Sequence, residues 1–176
     1  KMVRSNLLKK KICVVINSRA NYARIKSLLI EIKKSKKLEL QLILGASSLI
    51  DRFGNIQNTI LKDGFKINNK VFSIVEGNNL ETMAKSTGLG IVELSSIFEN
   101  TKPDMVLTVA ARFETLSTAV AASYMNIPLI HTQGGEITGS IDESVRHAIT
   151  RLANIHFPAT KKSFNNLIRM GENKKN

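Results

Sequence analysis

Short, β-branched apolar runs alternate along this chain with longer stretches whose apolar residues recur at helical spacing. Residues 11–17 (KICVVIN) form a continuous apolar run of the kind that fills a strand buried on both faces. Residues 21–35 follow with Ile25, Leu28, Leu29 and Ile32 on one helical face. The pattern repeats. Strands are predicted over 38–45, over 66–72 (polar, hence near a sheet edge), over 104–110 after Pro103, over 127–132 and over a short 155–159. Helices are predicted over 55–63, stopped by Gly64, over 80–99, weakened by Gly88 and Gly90, and over 112–125, 142–154 and 161–170. Strand–helix alternation throughout implies a parallel sheet covered on both faces, and right-handed crossovers leave a doubly wound, Rossmann-like α/β sheet as the expected fold. Ligands of such sheets bind beyond the carboxyl ends of the strands. The loops of interest are therefore 18–22, 111–114, 133–140 and the one at Thr160.

The 176 residues suit a single domain over 11–172, with a basic N-terminal extension (1–10) and a short tail (173–176). The formal charge is +12, but it is unevenly spread. Residues 104–160 hold only Arg112, Arg146 and Arg151 as basic groups, against five carboxylates, so the excess lies in Lys-rich ends and connectors such as Lys33, Lys34, Lys36 and Lys37. A nucleic-acid reader groups its charge with Arg and aromatic side chains; here Lys dominates and aromatics are 5%, so no nucleic-acid partner is expected. A lone cysteine, Cys13, excludes a disulfide framework and a multi-Cys metal site. The longest apolar run, 12–16, is too short for a membrane span or a secretory leader, so no membrane association and a cytoplasmic location are expected. No metal or cofactor is implied.

After the first strand, Asn17-Ser18-Arg19-Ala20-Asn21-Tyr22 lacks the GxGxxG pattern, and no acidic residue closes the second strand, which argues against a dinucleotide site. Arg19 stands at the mouth of the strand beside a helix start, a place to meet phosphate or carboxylate; a solvated loop arginine is the equal alternative. The segment 131–147, HTQGGEITGSIDESVRH, is denser in chemistry. Gly134 and Gly135 permit close backbone approach to a ligand. Asp142 and Glu143 open a helix, where the dipole favours carboxylates, and His147 lies one turn beyond Glu143. On spacing alone the same segment also reads as a capped helix with an acidic first turn and a surface histidine.

The segment HTQGGEITGSIDESVRHAITRLANIHFPAT resembles the hydrolysing UDP-N-acetylglucosamine 2-epimerases, in particular those that feed sialic acid synthesis, which carry H-x-E-G-G-E-x-(T/S)-G-x-x-D-(D/E)-x-x-R-H-A-I-T-K-L here. Ser18-Arg19-Ala20-Asn21-Tyr22 matches a family (N/S)-R-A-D-Y, and Arg112-Phe113-Glu114 matches the end of G-D-R-(F/Y)-(E/D). Leu44-Gly45, the run Leu49-Ile50-Asp51 and Phe53-Gly54 match as well, so the likeness runs from about Lys11 to Glu172. It implies the N-terminal domain of a glycosyltransferase-B-like fold, with UDP-N-acetylglucosamine or UDP held between two domains. It also implies release of UDP by elimination and addition of water to give N-acetylmannosamine. By the same resemblance Arg19, Arg112, Gly134, Gly135, Glu136, Arg146 and His147 are expected to bind substrate, and Asp142, Glu143 and His131 to stand near the reacting sugar.

Two family carboxylates are replaced. The Asp of G-D-R is Ala111, and the Glu of H-x-E-G-G is Gln133. An alanine exchanges no proton, and a Gln amide hydrogen-bonds without acting as acid or base near neutrality. Loss of one such group costs on the order of 10²–10⁴-fold in rate. The family also runs on into a second domain of comparable size. The expectation is therefore a chain with little or no turnover by itself, completed by a second copy or by a C-terminal-domain partner. The alternative is a subunit that binds nucleotide-sugar without catalysis.

Overall fold

A computed structural model describes residues 8–77 and 79–176. Six strands, β1 (Lys10–Ile16), β2 (Leu38–Gly45), β3 (Asn69–Val71), β4 (Met105–Val109), β5 (Leu129–Thr132) and β6 (Ile155–Phe157), form one sheet in the order β3-β2-β1-β4-β5-β6. Every neighbouring pair is parallel. Six helices cross between or follow the strands: α1 (Arg19–Lys34), α2 (Gln57–Lys62), α3 (Leu80–Thr101), α4 (Phe113–Tyr124), α5 (Ile141–Leu152) and α6 (Lys161–Arg169). This is the doubly wound α/β architecture the alternation predicts.

The period-2 alternation of side-chain direction along β1, buried on both faces, divides the interior in two. Ile12, Val14 and Ile16 point to one face, where Ile25, Leu29 and Ile32 of α1 and Ile60 of α2 meet them. Cys13 and Val15 point to the other, against Leu94 and Phe98 of α3, Ala119 and Ala122 of α4 and Ile149 of α5. Each fully buried Leu, Ile or Phe contributes about 1.5–3 kcal/mol, so neither face of the sheet can be stripped of its helices cheaply. Burial pushes the Cys13 thiol up to about 12, which leaves it an inert core residue.

Three details depart from the sequence reading. The predicted strand 66–72 shrinks to the three residues of β3, because the Asn68 side chain takes over the pairing: its Oδ1 accepts from Leu42 N (2.8 Å) while its own N–H donates to Leu42 O (2.8 Å). The edge position is as predicted. Two 3-10 turns, Ala46–Leu49 and Asp51–Phe53, follow β2 where only connecting chain was anticipated. Lys10, assigned to the basic extension, opens β1, and residues 1–7 of that extension lie outside the described residues.

Candidate functional site

The strand order reverses between β1 and β4, so α1 and α4 leave their strands in different directions and open a crevice beyond the carboxyl ends. Neutral amides hold its floor. Asn17, buried at the end of β1, donates from Nδ2 to Glu114 O (3.2 Å), and its N–H donates to Asn21 Oδ1 (3.2 Å). Asn17 O in turn accepts from Ser47 Oγ (2.9 Å) and Ser48 N (3.1 Å) of the first 3-10 turn. The ends of β1, β2 and β4 are thus tied together by groups that carry no charge.

Above this floor lies a cleft of about 320 Å³ whose walls include Ser18, Arg19, Arg52, Phe53, Ile74, Asn79, Met83, Arg112, Phe113 and Glu114. Three helix starts reach it: the N-cap of α1 is Ser18, that of α3 is Asn79, whose side chain forms a reciprocal capping box with Thr82, and Arg112 is the N-cap residue of α4. Helix N-termini and arginines together favour an anion, and the Ile74, Met83, Phe53 and Phe113 surfaces favour a flat or apolar moiety beside it. The arginines are not equivalent. Arg52 is held bidentate by Glu76 at 2.8 Å to each oxygen, which spends its charge within the protein. Arg112 is only loosely paired, its Nε 3.4 Å from Glu114 Oε1, and Arg19, also in the cleft wall, forms no ion pair among the described residues. Glu114 itself is 4% exposed; burial raises its pKa, the Arg112 charge opposes that, and the Asp142 carboxylate adds to it.

The β5–α5 segment flanks this cleft, and its residues are not among the lining ones. His131 is fully buried. Its Nε2 lies 3.0 Å from Ala110 O, which can only accept, so Nε2 carries the hydrogen and Nδ1 accepts from Thr150 Oγ1 at 3.2 Å. Burial pushes its pKa down to about 4, so the ring is neutral near pH 7. Through these contacts His131 supports the Ala110–Arg112 loop. Ala111 is buried, and Ala110 takes a left-handed backbone (φ 60°). Gln133 also takes a left-handed backbone (φ 62°), and its Oε1 accepts from Arg24 at 2.9 Å. Gly134 and Gly135 pack closely within the protein: a Cβ on Gly134 would press on His131 and Thr150, and one on Gly135 would collide with the Ser163 carbonyl of α6.

Asp142 and Glu143 open α5 as predicted, behind Ser140 as N-cap. Glu143 Oε2 accepts from Thr138 N (2.7 Å) and Gly139 N (2.6 Å); these backbone donors hold its carboxyl below the usual range, and His147 lies 3.5 Å from its other oxygen. Arg146, buried, donates to Glu136 O at 2.8 Å. Glu143, Arg146 and Glu136 therefore shape the 136–140 loop, and Asp142 is the member of the acidic pair whose charge is felt at Glu114. Tyr22, from the same loop as Arg19, turns away into the core and donates to Asp63 at 2.5 Å.

The sequence places Arg19, Arg112 and the 111–114 loop that carries Glu114 at the crevice, but gives no sign of Arg52 or of Ile74, Val75, Gly77 and Asn79 there. These come from chain following β2 and preceding α3, which only the fold brings to the crevice. Glu114 was visible as an acidic first-turn residue beside Arg112, with nothing in the spacing to show that it is buried.

The family model described as UDP-N-acetylglucosamine 2-epimerase matches residues 30–176. A Legionella pneumophila protein named UDP-N,N'-diacetylbacillosamine 2-epimerase (hydrolyzing) is 37% identical over 93% of this chain and 43% of its own length. A Campylobacter jejuni GDP/UDP-N,N'-diacetylbacillosamine 2-epimerase (hydrolyzing) is 37% identical over 95% of this chain and 44% of its own. Among solved structures, a UDP-N-acetylglucosamine 2-epimerase from Neisseria meningitidis bound to UDP-GlcNAc superposes with a TM-score of 0.81 at 22% identity, covering 93% of this chain and 44% of that one. The chain spans less than half the length of these relatives. Matched over most of its length and sharing their fold, it belongs to the UDP-N-acetylglucosamine 2-epimerase family.

Proposed function

We propose that this chain forms the N-terminal half-site of a hydrolysing 2-epimerase for a UDP-linked 2-acetamido sugar. The observation that carries this reading is the cleft at the β1/β4 crevice, where Arg19 and Arg112 stand unspent beside three helix starts and apolar walls. Arg19 and Arg112 bind the diphosphate. A second domain, in the same protein or from a partner chain or second copy, closes over it and excludes water. In the reaction the family resemblance implies, a base removes the C2 proton, the C1–O bond to the diphosphate breaks with departure of UDP, and water adds across the resulting C1=C2 bond. N-acetylglucosamine, giving N-acetylmannosamine for sialic-acid-type synthesis, and diacetylbacillosamine are the two candidate sugars, the second supported by the names of the 37%-identical relatives. A nucleotide-sugar substrate fits a cytoplasmic protein.

Ala111 and Gln133 favour a second reading, a nucleotide-sugar-binding or assembly subunit without chemistry of its own. Incubation of the purified chain with UDP-N-acetylglucosamine and with UDP-N,N'-diacetylbacillosamine, followed by an assay for UDP, tests the half-site: the chain alone is expected to bind UDP and release almost none from either sugar. Failure to bind UDP in a ligand-observed NMR titration would remove both readings, and robust turnover by the chain alone would contradict the half-site.

A further inference from the structure

Glu114 is the single carboxylate among the described residues that line the cleft. It sits in the first turn of α4, 4% exposed, with its backbone carbonyl fixed by Asn17. Its side chain is poorly satisfied. Oε1 lies 3.4 Å from Arg112 Nε, and Oε2, shut off from solvent, has no hydrogen-bond partner among the described residues. A structural ion pair in this protein looks different: Arg52 and Glu76 use both oxygens and two guanidinium nitrogens at 2.8 Å. A buried carboxylate oxygen left without a donor is costly, and a bound molecule that brings one removes the cost. Two further positions where the resemblance places an acid cannot serve, since Ala111 ends at a methyl and Gln133 Oε1 is taken by Arg24 at 2.9 Å, and Asp142 and Glu143 are not among the residues lining the cleft. Burial raises the pKa of Glu114, and the Arg112 charge opposes the rise.

We propose that Glu114 is the residue through which this cleft holds the sugar: its carboxylate turns toward a bound UDP-sugar so that the unpartnered Oε2 accepts a hydroxyl hydrogen from the hexosamine, while Arg112 beside it engages the diphosphate. This rests on the nucleotide-sugar reading above. A role confined to positioning Arg112 would affect UDP and UDP-sugar alike; a sugar contact affects only the second.

The test uses the 176-residue chain and two ligands, UDP and UDP-N-acetylglucosamine, titrated by ligand-observed NMR against wild type, Glu114→Ala and Glu114→Gln, with thermal melts to show that each variant is folded. Affinity for UDP is expected to hold or rise in both variants, because a negative charge beside Arg112 is gone. Affinity for UDP-N-acetylglucosamine is expected to fall about tenfold in E114A, the size of one lost charge-assisted hydrogen bond, and less in E114Q, whose amide oxygen can still accept. A parallel loss for both ligands, or no loss for either, overturns the proposal while leaving the nucleotide-sugar reading in place. Wild type that binds neither ligand removes that reading and the proposal with it.

Discussion

His131 shows how a residue of catalytic appearance comes to act through its neighbours. Its ring carries the Ala110 carbonyl on one nitrogen and the Thr150 hydroxyl on the other, and it is sealed from the cleft. Its folded pKa of about 4 lies below the ordinary 6.5, so the unfolded chain takes up a proton between those values that the folded protein refuses. Stability is therefore fully present above about pH 6.5 and lost as pH falls through that window. From pH 7 to pH 5 the loss from this one group is about 2 kcal/mol. Urea unfolding across that range should show it for wild type, and His131→Asn should flatten the slope; an unchanged slope would mean the ring titrates in the folded protein. The same residue scale explains the two replaced acids. Ala111 is buried and Gln133 is engaged by Arg24, so both positions are integrated into the folded surface as neutral groups.

At the level of elements, two glycines are fixed by what packs against them. Gly90 was taken to weaken α3; it is the point where α3 crosses α4, and a Cβ there would lie 2.8 Å from Ser117 Cβ. Gly135 sits against α6, with φ at 81°, and an added Cβ would collide with the Ser163 carbonyl oxygen. Gly135→Ala should therefore cost more than about 2 kcal/mol, combining backbone strain with a collision against main chain. Gly139→Ala, at φ 70° with nothing within 4 Å, should cost only the strain, about 1 kcal/mol. Equal losses in chemical denaturation would show that α6 yields freely. Strands and helices were legible because burial on one or two faces imposes a period on the sequence, whereas the 3-10 turns after β2 and the Asn68 pairing at β3 obey no period and escaped notice.

Taken whole, the molecule is a complete doubly wound layer with its crevice open on one side, spanning less than half the length of its relatives. The chemistry expected of a closed cleft then depends on what covers it. Combining Ala111→Asp and Gln133→Glu with a second domain supplied by a relative should restore UDP release from a UDP-2-acetamido sugar, measured by a coupled UDP assay. No release from a complex that binds UDP would favour the reading without catalysis. From residues alone came the α/β class, the parallel sheet, the family motifs and the placement of Arg19 and Arg112, since periodicity and short motifs are local properties that the chain carries whether folded or not. Tertiary structure alone decided that Glu114 lines the cleft and keeps a buried oxygen without a hydrogen-bond partner, that Arg52 is paired with Glu76, that His131 is buried and that α6 fills the space beside Gly135. Burial and partnership are set by segments distant in sequence, and no spacing within one segment encodes what another brings to it.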